Sequence, residues 1–275
     1  MAVILQATEF AVPDAEALKM RGMQTDPYNE VKGGHAAILN FLDATAGALA
    51  VSDAIANTVH GGDPATALTA WATGISAADK GLSFDAAAGV AERLQLPGAF
   101  DLATLGAEPS FVLSTWVTLP EGFGAVTPPN SIMGFAYQSG AEAQWFLSGH
   151  GGTTNLRFAI SSEESNTNQV LFDATPYLGA PMLMSAVVTR IGAGSFRLDF
   201  YRGTTRIGGA ASLTYGFNAP VTGGPVPVIG GLGGFGDNFT GTVHRLQLFR
   251  FDPDSFDVAD WLAAEVAAME AVLAG

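Results

Sequence analysis

The sequence predicts an all-β fold: an antiparallel two-sheet sandwich of jelly-roll type, preceded by an arm and closed by a helix. Three observations predict it. From "FVLSTWVTL" onward the chain is a series of runs of five to ten residues, each bounded by Gly, Pro, Asn or Ser. Several runs alternate, as where Leu156, Phe158 and Ile160 stand against Arg157 and Ala159. No helical pattern falls between these runs, whereas a doubly wound α/β fold needs a helix after nearly every strand.

The elements follow in order. Residues 1–34 read as an N-terminal arm, with a short edge strand in "MAVILQATEF", a helical turn in "AEALKMRGM" and a loop in "TDPYNEVKGGH". Residues 35–275 form the sandwich. "AAILNFL", "GLSFD" and "ERLQLP" are strand candidates. The stretch between the first two is Ala-rich enough for a short helix, but Gly, Pro and Asp break it repeatedly. The later strands are "SIMGFAYQ", "QWFLSG", "NLRFAIS", "QVLFD", "MLMSAVVTRI", "FRLDFYR", "TTRIGG", "VPVIGG" and "GTVHRLQLFRF". The end changes period. Residues 257–273 read as a helix with Ser255 or Asp257 as N-cap, packing Val258, Trp261, Leu262 and Val266 on the sheet.

Composition narrows the function. With 12 Lys+Arg against 26 Asp+Glu, the formal net charge is −14. Such a chain repels phosphate backbones, so nucleic-acid binding is not expected. There is no cysteine, hence no disulfide, thiolate or Cys-ligated metal. No run approaches the roughly 18 apolar residues of a membrane span. "MAVILQATEF" lacks the basic start and apolar length of an export signal, so none is expected.

One motif points elsewhere. Gly231, Gly233 and Gly236 match G-x-G-x-x-G after an apolar run. A dinucleotide loop needs a helix straight after its glycines, to place an N-terminus at the pyrophosphate. Here "DNFTGTVHRLQLFRF" follows, which reads as a strand, so the glycines are expected to be an inter-strand turn.

The same segment resembles a known family. "GDNFTGTVHRLQLFRFD" followed by a capped helix is similar to the closing stretch of concanavalin A-like, laminin-G-type jelly rolls. "AAILNFLDATAGALAVSDAIANTV" resembles their first strand and loop, "GLSFDAAAGVAERLQLP" a later strand pair, and "FVLSTWVTLP" the strand after it. The likeness runs from about residue 35 to the C-terminus. It implies the fold more than the function. Some members hold calcium near acidic positions, but this chain has His244 and Arg245 where many carry Asp. That loss of oxygen ligands disfavours calcium, leaving Asp43, Asp53 and Asp237 as turn formers. No cofactor is expected, and no metal ligands are assigned.

Enzymes on this fold are mainly glycoside hydrolases and polysaccharide lyases. Retaining glucanases set carboxylates at alternate positions of one strand, with a working pair about 5–5.5 Å apart. No such strand is present: Glu163 and Glu164 are adjacent in a turn-like stretch, and Asp199 has no carboxylate partner on its strand. G-x-S-x-G, the P-loop and H-E-x-x-H are absent. The four His, at 35, 60, 150 and 244, have no ligand spacing, and His244 is expected to be a satisfied, partly buried imidazole. Arg190, Arg197, Arg202 and Arg206 form a cationic set across neighbouring strands, expected to pair with local carboxylates, with an acidic sugar as the sharper alternative.

No catalytic residues are therefore expected. The reading is a non-enzymatic structural or adhesion protein, a surface component of a bacteriophage particle in head or fibre, with glycan binding. The arm would contact other virion proteins in an oligomer or larger assembly; cell-surface glycan is the other partner. A polysaccharide-cleaving enzyme and a secreted lectin are the alternatives. Sugar sites on sandwiches use an aromatic platform with amide or carboxylate acceptors, and the candidates are Tyr137, Trp145, His150, Asn155, Asp237 and Asn238.

Overall fold

The computed structural model describes residues 35–42, 46–59, 62–76, 78–85, 92–124, 131–135, 144–163, 166–214, 226–231 and 239–274. The arm expected over 1–34 lies outside them. Two antiparallel sheets face each other, in agreement with the all-β sandwich predicted from the sequence.

The first sheet contains β1 (His35–Asn40), β2 (Gly47–Leu49), β5 (Trp71–Ser76), β6 (Gly81–Phe84), β8 (Ser110–Thr118), β13 (Pro181–Gly192), β14 (Ser195–Arg202), β15 (Thr205–Thr214) and β17 (Gly241–Phe251). Its order is β15-β14-β13-β8-β17-β6-β5-β2, and β1 also pairs with β17. The second contains β3 (Ala54–Ile55), β4 (Ala65–Ala67), β7 (Leu94–Gln95), β9 (Ser131–Phe135), β10 (Trp145–Gly149), β11 (Asn155–Glu163), β12 (Asn166–Asp173) and β16 (Val228–Ile229). Its order is β12-β11-β10-β9-β16-β7-β4-β3. The Ala-rich stretch expected to have room for a helix instead gives short strands β2 to β5. Its frequent Gly, Pro and Asp cut the chain before a helix could nucleate, and two- to six-residue strands at sheet ends tolerate those breaks.

Between the sheets lies the main core, where Phe111 and Leu113 of β8, Phe158 of β11, Phe196 of β14 and Leu246 of β17 meet. Leu156, Phe158 and Ile160 point into it, as their alternation predicts. The first sheet also buries its other face. Val112 and Trp116, Leu183 and Val187, and Phe249 and Phe251 form a second cluster with Trp261, Leu262 and Met269 of helix α1 (Val258–Ala274). Asp257 caps this helix, its Oδ1 accepting from the backbone N–H groups of Ala259 (2.8 Å) and Asp260 (3.1 Å). The sequence pattern had offered Ser255 as the other cap. At the far end Lys80 Nζ donates to the Val272 carbonyl at 2.7 Å, satisfying one of the last free carbonyls.

An ion pair sits inside this second cluster. Arg245 of β17 and Glu265 of α1 are both 0% exposed, with Nε and Oε1 3.3 Å apart. The Trp116 indole N–H donates to the same Glu265 oxygen (3.2 Å), and Arg245 Nη2 donates to Gln247 Oε1 (3.0 Å). His244, next along β17, fulfils its predicted structural role. Its Nδ1 lies 2.9 Å from the Lys80 carbonyl, which only accepts, so Nδ1 carries the proton and Nε2 accepts from the Thr118 hydroxyl at 2.8 Å.

Two outcomes follow for stability. Glu265→Ala strands a buried guanidinium and should cost about 3–5 kcal/mol in urea denaturation, most of it recovered in Arg245→Met/Glu265→Leu. Burial, the largest influence, holds the His244 imidazole below its ordinary 6.5, against smaller upward pulls from Lys80 and Asp79. The unfolded chain thus takes up the proton first. Stability present above about pH 6.5 should fall as the pH drops toward the folded value, and His244→Gln should flatten that slope.

Candidate functional site

The described candidates from the sequence divide between core and surface. Trp145 is 1% exposed, packs on Phe100 (ring centroids 6.3 Å) and donates its indole N–H to the Phe100 carbonyl at 2.9 Å. Its place in β10 turns it into the core, so the expectation of a sugar platform there is corrected: no ring face reaches solvent. His150 and Asn155 are brought together at one end of the second sheet. His150 is exposed in the β10–β11 turn, and its backbone N–H donates to the Asn155 carbonyl at 2.9 Å. Asn155 pairs across the sheet with Asp173. The Asp173 carboxyl is held low, chiefly by the hydroxyl and backbone N–H of Thr175, with Thr154 adding a further bond. Tyr137, Asp237 and Asn238 lie outside the described residues.

The arginine set separates. Arg190 Nη2 lies 3.1 Å from Glu108 Oε2. Arg202 stacks over the Tyr177 ring at 4.2 Å. Arg197 and Arg206 converge on one carboxylate, that of Asp199, which is 4% exposed. Arg197 Nε donates to Oδ2 at 2.8 Å and Arg206 Nε to Oδ1 at 2.6 Å. This is the local pairing expected of a solvated sheet face, and it satisfies the buried Asp199 carboxylate with two guanidinium donors.

A groove opens beside that triad. Strand alternation on β14 puts Arg197, Asp199 and Tyr201 on the outer face, where Tyr201 packs against the cluster under α1. Thr189, Arg197 and Tyr201 form one wall. The other rises from the end of β17 and the turn into the helix, with Phe251, Pro253, Asp254, Ser255, Phe256 and Asp257. The space is open and about 530 Å³, within the usual range for small-molecule sites. The turn is firmly built. Asp252 accepts from the Asp254 backbone N–H (3.1 Å) and the Ser255 hydroxyl (3.2 Å), and the Phe256 ring lies 4.9 Å from Phe251. Burial raises the Tyr201 phenol above its ordinary value, with the Asp199 charge acting in the same direction and Arg197 and Arg206 against it. Tyr201 is thus a neutral donor and acceptor at physiological pH. Among the lining residues, both carboxylates come from the turn, and the facing wall presents a guanidinium and a phenol. Sequence reading missed this site because Asp254 and Asp257 read as helix-start residues. The 197–199–201 alternation was the available signal.

The chain just before the glycine motif makes a close backbone approach. Gly230, just before it, follows β16 with φ +93°. A Cβ there would lie 1.9 Å from the Glu92 carbonyl oxygen and 2.6 Å from the Phe84 ring. Glycine is needed for the close approach of two chain segments. Gly231 is buried, and Gly233 and Gly236 lie outside the described residues. The segment resumes as strand β17, as predicted.

No protein-family model matches the sequence, and no curated protein matches it. Solved structures do. The chain is similar to the receptor-binding domain of botulinum neurotoxin C/D mosaic serotype, with a TM-score of 0.50 at 10% identity over 86% of this chain and 52% of that one. The binding domain of botulinum neurotoxin serotype D gives 0.46 at 10% identity over 84% and 52%, and the type G receptor-binding domain 0.46 at 10% over 86% and 51%. The chain spans about half the length of these structures. The first likeness, at this identity, shows a shared fold.

Gly230→Ala should destabilise the protein by at least about 1–3 kcal/mol from backbone strain, before any clash with Glu92. Trp145→Ala should cost about 3–5 kcal/mol, while His150→Ala stays within about 0.5 kcal/mol of the parent. Chemical denaturation midpoints at constant slope check all three.

Proposed function

We propose that this protein is a non-enzymatic recognition module that holds a carbohydrate-bearing receptor on the outer surface of the sandwich. The observation that carries the reading is the groove between β14 and the helix turn. It is open, it joins apolar rings to polar groups of both kinds, and its carboxylates stand on one wall. Glycoside cleavage by a carboxylate pair needs one group on each side of the scissile bond. The facing wall here supplies Arg197 and Tyr201 instead. The similar domain of botulinum neurotoxin C/D mosaic serotype is a receptor-binding domain, and that role suits a sandwich with an outward-facing groove.

The larger setting we propose is a surface component of a bacteriophage particle, in head or fibre, with residues 1–34 as the arm that contacts its neighbours. The acidic chain, at −14, favours a solvent-facing position and disfavours contact with the packaged nucleic acid.

Purified protein on an oligosaccharide array, with the same sugars incubated in solution, tests the recognition role. Retention without new reducing ends or unsaturated products is expected. Catalytic release of either would overturn the non-enzymatic reading.

A further inference from the structure

We infer that the groove between β14 and the start of α1 is a binding site for an uncharged sugar, discriminating against acidic ones. This assignment rests on the recognition role proposed above and adds the ligand class.

The two elements able to grip an anion are both partly engaged already. The first is the guanidinium of Arg197. Its Nε donates to the buried Asp199 carboxylate, which Arg206 shares, at 2.8 and 2.6 Å, so part of its pull on an anion is already offset. The second is the helix N-terminus, which otherwise favours anions. Asp257 covers it, taking the N–H groups of Ala259 and Asp260 on one oxygen. Beside these, Asp254 adds a second carboxylate, and no group among the described residues bonds it through its side chain. The charged lining residues, Arg197, Asp254 and Asp257, therefore sum to a net negative charge. The whole chain reinforces this at long range, with a formal charge of −14. A carboxylated or sulfated sugar would meet two carboxylates and an arginine already engaged at its Nε. A cationic ligand would meet Arg197 on the opposite wall.

An uncharged sugar meets neither penalty. Its hydroxyls both donate and accept, and the groove offers both. Asp254 accepts, Arg197 donates through the nitrogens not bound to Asp199, and the Tyr201 phenol does either. The half-buried Tyr201 and Phe256 rings supply apolar surface for the C–H face of a pyranose. A preference for uncharged ligands also predicts weak salt dependence, since screening acts on charge pairs.

The test is an array of neutral hexose and hexosamine oligosaccharides alongside uronate-containing and sulfated ones, read with the full chain at low and high salt. Neutral sugars should be retained, with affinity changing less than about twofold across the salt range. Tyr201→Ala should lower that affinity by about tenfold or more, and Asp254→Asn, an exposed position, by several-fold with the denaturation midpoint unchanged. Tyr201→Phe keeps the ring and should lose less. Preferential, salt-sensitive retention of acidic sugars would overturn the ligand class while leaving the recognition role intact. Neutral binding unaffected by both Tyr201→Ala and Asp254→Asn would overturn the groove as the site. Retention of no sugar at all would overturn this assignment together with the recognition role beneath it.

Discussion

The first sheet must bury two faces, and the rest of the molecule is arranged around that need. Its inner face packs on the second sheet, as in any sandwich. Its outer face is almost equally apolar at β8, β13 and β17, where Val112, Leu183, Val187 and Phe249 would otherwise meet water. Helix α1 covers them. The cover is not purely hydrophobic, because Arg245 and Glu265 meet in the middle of it at 0% exposure. A buried ion pair adds little net stability over apolar residues of similar size. What it does add is a penalty for misplacement: a shifted helix leaves a charge unpaired. Trp116 and Gln247 contribute further polar contacts at the same place.

Helix position in turn creates the groove. The turn before α1 is stiffened by Asp252 and by Phe256 on Phe251, so it stands as a fixed wall beside β14. Its far side is equally fixed, since Arg197 is held by Asp199. Pre-ordered walls lower the entropy lost on binding, which matters for a shallow, open site that gives modest contact area. The opposite end of the helix is joined to the sheet through Lys80, whose ammonium holds the Val272 carbonyl while its own carbonyl receives the His244 Nδ1 proton. One lysine thus links the helix end to the buried imidazole.

Charge in this protein is settled locally before it is offered outward. Arg190, Arg197 and Arg206 each have a carboxylate partner, and Arg202 rests on an aromatic ring. The excess acid that gives −14 is what remains. A surface of that kind discourages phosphate-rich partners.

Local pattern was enough for the strands from β8 onward and for α1, because alternation, bounding Gly and Pro, and an N-capping Asp act over a few residues. It was also enough to reject the nucleotide reading of Gly231, Gly233 and Gly236, since a strand rather than a helix follows. His244 was legible too, from its phase among apolar neighbours. Trp145 was legible only in part: an indole there is more often core than platform, and its inward direction on β10 decides. The short strands β2 to β5 were hidden because they are held by pairing with distant segments rather than by their own propensity. The groove was hidden for the same reason. Arg197 and Tyr201 on β14 lie some fifty residues from the turn of Asp254 and Asp257, and no local pattern reports that a helix packing on the outer face brings them together. The sequence by itself determined the strands from β8 onward, helix α1 and the net charge; the tertiary structure decided which faces meet, because that depends on apolar surface and buried charge summed across the whole sheet.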